Sequence, residues 1–147
     1  MPQEAAERTA IMLKLIIGVK GTGKTKTLIS MVNEAVEKSE GTVVCIEKGV
    51  GLRFDVKYTA RLINSNDYLI FDAEALYGFV AGILASNHDV TELFVDSALK
   101  ICNNNVAEFE QLVEKIDKLT VDSNTKVVFT VSLPIEEATA TLLKYVD

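Results

Sequence analysis

Leu13-Lys14-Leu15-Ile16-Ile17-Gly18-Val19-Lys20-Gly21-Thr22-Gly23-Lys24-Thr25-Lys26 carries two structural signals and one chemical one. Leu13 to Ile17 is a short apolar run of strand type that ends at Gly18, and beyond Lys26 apolar residues recur at Leu28, Ile29, Val32, Ala35 and Val36 with helical spacing. The order is strand, loop, helix. Gly18, Gly23, Lys24 and Thr25 satisfy G-x-x-x-x-G-K-[ST]. Its glycines let backbone N–H groups point inward at phosphate oxygens with no Cβ in the way. Lys24 can reach the β and γ phosphates, Thr25 can offer its hydroxyl to Mg²⁺, and the helix N-terminus adds partial positive charge. Gly18, Val19, Lys20, Gly21, Thr22, Gly23, Lys24, Thr25 and Lys26 are therefore the candidate phosphate cradle. Lys20 and Lys26 either assist the phosphates or stay solvated.

The pattern continues on both sides of a second strand. The first helix closes near Ser39 to Gly41, and Thr42-Val43-Val44-Cys45-Ile46 reads as a strand ending at Glu47-Lys48-Gly49. Arg53 to Tyr58 alternates like an exposed hairpin arm, and Ala60-Arg61-Leu62-Ile63 reads as a short strand. Asp72 caps a helix whose Leu76, Phe79, Val80, Ile83 and Leu84 form one face as far as Ser86-Asn87. Glu92 to Asp96 is a strand. Asn105-Val106-Ala107-Glu108 resembles a capping box before Phe109, Leu112, Val113 and Ile116. Lys126 to Val131 is the last strand, and Pro134 precedes a final helix with Ala138, Leu142, Leu143 and Tyr145 available for packing. Strands alternating with helices predict an α/β fold, a three-layer αβα sandwich with a mostly parallel central sheet. The length of 147 residues suits a single phosphate-loop domain over residues 12–147, with residues 1–11 as a flexible extension.

Composition narrows the function classes. Hydrophobic residues at 48% and charged residues at 24% support an ordinary globular core. A net charge of -6 argues against a broad basic surface for nucleic acid. Cys45 and Cys102 sit in apolar contexts and read as reduced packing thiols. With no apolar run long enough to span a bilayer and no signal-peptide core, the expectation is a cytoplasmic protein without a membrane partner.

A phosphate loop works with a carboxylate that holds Mg²⁺, commonly at the end of a neighbouring apolar strand. Asp96, after Leu93-Phe94-Val95, fits that role best; Asp72 is its rival because it also follows an apolar run, Leu69-Ile70-Phe71, but Ala73 and Glu74 then open a helix directly, which favours Asp72 as an N-cap. Ser97 follows Asp96, so no Asp-Glu pair is present there. Glu47, at the carboxyl end of the second strand, is the candidate to orient or deprotonate the attacking water, and the alternative is a solvated acid beside Lys48. Ser132 either senses the γ-phosphate or caps the Pro134 helix. His88 reads as a solvated turn residue, Tyr58, Tyr68 and Tyr77 as core or rim, and Arg53 and Arg61 as surface residues with an alternative role across a subunit boundary.

On these residues the chain resembles P-loop NTPases of the additional-strand type, and among them the RecA and KaiC-like ATPases. GVKGTGKT at Gly18 to Thr25, VVCIE at Val43 to Glu47 and LFVDSAL at Leu93 to Leu99 carry the resemblance. It implies a RecA-like core, with Glu47 as the catalytic glutamate and Asp96 as the Walker B acid. The chain is also similar to small bacterial ATP-binding proteins of unsettled role. It departs from the MinD type, because Lys20 precedes Lys24 by four positions rather than five, and it lacks a counterpart to the DNA-binding loops of RecA-like motors.

The expected ligand is a nucleoside triphosphate, ATP with Mg²⁺, with ATP and GTP not separable from these residues. The expected function is a slow ATPase that couples nucleotide state to a protein partner or to homo-oligomer assembly, with Lys24 and Glu47 catalytic and Thr25 and Asp96 on the metal. The alternatives are an ATP-binding module that signals without turnover through the loop from Gly49 to Asn66, and a small-molecule kinase. The kinase is disfavoured by the scarcity of arginine for a lid.

Overall fold

The computed structural model describes residues 12–121 and 123–146, so the expected extension over residues 1–11 lies outside the described residues. Five strands form one sheet: β1 (Leu13–Gly18), β2 (Thr42–Glu47), β3 (Arg61–Asn64), β4 (Val90–Val95) and β5 (Lys126–Ser132). All pairings are parallel, in the order β1-β5-β4-β2-β3. The helices are α1 (Lys24–Lys38), α2 (Ala73–Ser86), α3 (Ala98–Ile101), α4 (Val106–Thr120) and α5 (Ala140–Leu143).

Strand residues alternate between two apolar layers, as the two-residue period of a pleated strand requires. Val43, Cys45, Phe94 and Val128 point to the layer built with Leu28 and Val32 of α1. Val44, Ile46, Leu93, Val95, Val127 and Phe129 point to the opposite layer, built with Leu76 and Val80 of α2 and Phe109, Leu112 and Ile116 of α4. Burial on both faces explains why these strands read as continuous apolar runs. Each fully buried Leu or Phe in these layers contributes about 1.5–3 kcal/mol by leaving water.

Two local expectations are corrected. Arg53 to Tyr58 is not a hairpin arm but a series of tight turns, in which Asp55 and Val56 donate to the carbonyl of Leu52 and Ala60 donates to that of Lys57. The buried residues there are Leu52, Val56 and Ala60, a four-residue spacing that anchors the segment on α1 and overrides the alternation. Asn33 of α1 brackets the segment, accepting from Lys57 N and donating to Asp55 O, both at 2.9 Å. The helix expected directly after Pro134 is split: Ile135–Glu137 is a 3₁₀ turn, and Thr139 caps α5 by accepting from Leu142 N at 3.2 Å. The short strand near Ala60 to Ile63 is present as β3, and α3 was not anticipated.

The register puts Gly18 opposite Ser132, Val95 opposite Phe129 and Ile46 opposite Val95. The phosphate loop, Ser132, Asp96 and Glu47 thus leave the sheet at one carboxyl edge, where ligand crevices of open parallel sheets form.

Candidate functional site

The loop from Gly18 is shaped by its own sequence. A Cβ on Gly18 would lie 2.8 Å from Thr22 Oγ1, and that hydroxyl donates to Val19 O at 2.7 Å to close the turn. Gly23 has a φ of 85°, a left-handed conformation that turns the chain straight into α1. No side chain caps α1 and no acid stands in its first turn, so its leading N–H groups and partial positive charge face outward unopposed.

Lys24 lies along the loop, its ammonium donating to Val19 O at 2.8 Å. Burial holds that ammonium below its ordinary pKa, while the nearby charge of Asp96 pulls it back up. Thr25 donates to the two carboxylate oxygens of Asp96 at 3.1 and 3.2 Å, so the structure joins residues 71 positions apart in sequence. Asp96 is 8% exposed. Its Oδ1 also accepts from Thr130 Oγ1 at 2.7 Å, and Thr130 Oγ1 in turn accepts from Ser97 N at 2.7 Å. That second bond fixes Ser97 at a φ of 57° and starts α3 immediately after the carboxylate. Asp72, by contrast, caps α2 by accepting from Ala75 N at 2.8 Å, and it lines a separate cleft of about 160 Å³ with Tyr77 and Lys115. The cap role belongs to Asp72, and Asp96 is the acid beside the loop.

Glu47 departs from the solvated alternative: it is 5% exposed. Both of its carboxylate oxygens accept from Leu52 N at 3.2 Å. Burial raises its pKa above the usual carboxylate range, opposed by the backbone N–H groups of Leu52 and Gly51 and assisted by the charge of Asp96. The strand-end acids of β2 and β4 are adjacent, since Asp96 N donates to Ile46 O at 2.9 Å.

A cavity of about 550 Å³ opens between the loop and the ends of β4 and β5. Lys20, Lys24, Thr25 and Lys26 form one wall, while Ser97, Lys100, Asn104, Thr130 and Ser132 form the other. Ser132 makes no cap for the turn after Pro134, which leaves its place in this wall. The remaining candidates lie elsewhere. Arg53 stacks on Phe54 with its Cζ 4.8 Å from the ring centre, Tyr58 is 95% exposed, Tyr68 packs on Phe79 at 5.5 Å, and Lys115 sits over Tyr77 at 5.5 Å. His88 lines a different cleft with Asn87 and Asn124, and Arg61 is exposed on the edge strand β3. Cys45 and Cys102 are buried free thiols.

Sequence reading missed Thr130, Lys100 and the amide of Leu52. Thr130 had a visible signal, a lone hydroxyl inside the apolar run Val127 to Val131.

No protein-family model matches the chain, and no curated protein matches it in sequence. Among solved structures it is similar to the pCW3 conjugation coupling protein TcpA, in its monomer form with ATPγS, at 13% identity and a TM-score of 0.59. The similarity covers 90% of this chain and 46% of TcpA, so the chain spans less than half of that protein's length. The fold is a P-loop NTPase-like αβα sandwich. No helix among the described residues is long and apolar enough to cross a membrane.

Proposed function

We propose that this chain binds ATP with Mg²⁺ and hydrolyses it slowly, coupling nucleotide state to a protein partner or to its own assembly. The observation that carries the reading is the convergence, at one cavity, of the uncapped N-terminus of α1, Lys24, and the paired oxygens of Thr25 and Asp96. Anion-binding amides, a cation for the outer phosphates and a hard-oxygen pair are the parts that a metal triphosphate requires. Residues Gly18 to Lys26 would hold the phosphates.

The donor set fits Mg²⁺, because Thr25 and Asp96 offer only oxygen and Thr130 steadies the carboxylate. When held by Thr25 and Asp96, the ion would offset the negative charge of the triphosphate. Glu47 is the proposed group that accepts a proton from water. The position of β5 between β1 and β4 is in keeping with the additional-strand type. The similarity to TcpA, whose structure includes ATPγS, is in keeping with nucleotide binding.

One observation favours a second reading, an ATP-binding module without turnover. Glu47 is engaged by the amide of Leu52, so the loop that follows it competes with water for the acid proposed as the base. A phosphate-release assay on purified protein separates the two. Turnover that depends on Mg²⁺ supports the ATPase, and tight ATP binding with no phosphate release, with or without candidate partners, supports the module.

A further inference from the structure

The one-turn helix α3 is an unusual support for a charge. Ala98, Leu99 and Ile101 are all in the core, as is Cys102 after them, and Lys100 alone is exposed. The helix is fixed at its start by the bond from Ser97 N to Thr130 Oγ1, and Lys100 stands four residues after Asp96. Rigid packing on three residues leaves Lys100 facing the 550 Å³ cavity. Lys100 has no hydrogen bond or ion pair with any other described residue.

Position gives this cation its meaning. Lys20, Lys24 and Lys26 belong to the phosphate loop and α1, on one wall of the cavity, while Lys100 comes from the opposite wall, beyond Asp96. Neither Arg53 nor Arg61 lines the cavity. A diphosphate cradled by the loop amides and Lys24 is held by the first wall alone. An anion that extends from the loop past Thr25 and Asp96 meets the second wall, where Lys100 is the cation available.

We infer that Lys100 binds the terminal phosphate of a triphosphate from within the same chain, so that the site distinguishes the triphosphate from the diphosphate. The assignment rests on the nucleotide-binding reading above. A lysine-to-phosphate contact is a charge-assisted hydrogen bond, and losing it selectively weakens the ligand that makes it.

The test is calorimetric titration of ATPγS and of ADP, each with Mg²⁺, into the wild-type chain and into Lys100→Ala and Lys100→Arg, with thermal unfolding followed by circular dichroism to verify the fold. In Lys100→Ala, ATPγS binding should weaken about tenfold while ADP binding stays within about twofold, and Lys100→Arg should recover most of the loss. Equal weakening of both ligands, no weakening of either, or no recovery with arginine overturns the assignment. If the wild-type chain binds the two nucleotides equally well, the discrimination is wrong while nucleotide binding stands. If it binds neither, the nucleotide reading fails and the assignment with it.

Discussion

Both carboxylate oxygens of Glu47 accept from the backbone N–H of Leu52, each at 3.2 Å. The acid at the end of β2 is thus the anchor of the segment that follows it. That segment is also held from the other side by Asn33 and by an ion pair between Lys57 and Glu37. In the proposed ATPase, where Glu47 accepts a proton from water, turnover and the conformation of this segment would be linked through this one side chain.

Glu47→Gln retains an oxygen that accepts from Leu52 but removes the proton acceptor. Phosphate release should fall about 10²- to 10⁴-fold, the usual worth of a general base, while ATP affinity changes less than about threefold. Unchanged turnover in a variant that still binds ATP would remove Glu47 from the chemistry.

Thr130→Val keeps the shape of the side chain and deletes two bonds, one to Asp96 Oδ1 and one from Ser97 N. Partners of this kind are worth about 10- to 100-fold in metal affinity, so the Mg²⁺ concentration giving half-maximal nucleotide binding should rise by that order. Leaving the Ser97 amide unpaired should also cost about 1–3 kcal/mol of stability, readable in urea unfolding.

Burial pushes the thiols of Cys45 and Cys102 up to about 12, in the case of Cys45 with help from the charges of Asp96 and Glu47. A thiol raised in the folded state contributes stability that is complete below its unfolded value of about 8.5 and is lost as pH climbs toward the folded value. Stability should therefore decline above about pH 8.5, and less steeply in a chain with both cysteines replaced by alanine. A thiol-specific reagent at pH 8 should label neither residue in the native protein and both in urea, and rapid native labelling would contradict the burial.

Asn33→Ala removes both bonds that bracket residues 55–57 without touching the phosphate loop. Backbone amides of residues 53–58 should exchange faster, by the loss of about 1 kcal/mol per bond, with nucleotide affinity unchanged. Hydrogen exchange read by mass spectrometry checks this.

The sheet, its covering helices and the phosphate loop were legible because each rests on local pattern. β1, β2, β4 and β5 are apolar runs buried on both faces, and G-x-x-x-x-G-K-[ST] is contiguous. Asp72 offered the same local cue as Asp96, and only the fold, which brings Asp96 to Thr25 and leaves Asp72 at its cap, separates them. Lys100 was not legible for the same reason, and the lone hydroxyl of Thr130 in an apolar run marked the residue but not its partner Asp96, which strand order supplies. The turns of residues 52–60 were misread because Arg53, Phe54, Asp55 and Val56 alternate in polarity by chance. Phe54 is in fact 85% exposed.

The proposed function requires the loop from Gly18 to bind a metal triphosphate through Lys24, Thr25 and Asp96. Calorimetric titration of ATP with Mg²⁺ into the wild-type chain and into Lys24→Ala tests it most directly. The expected result is one saturable site in the wild-type chain and a loss of about tenfold or more in affinity in Lys24→Ala, whose thermal unfolding remains cooperative. No binding by the wild-type chain, or equal binding by the two proteins, would contradict it.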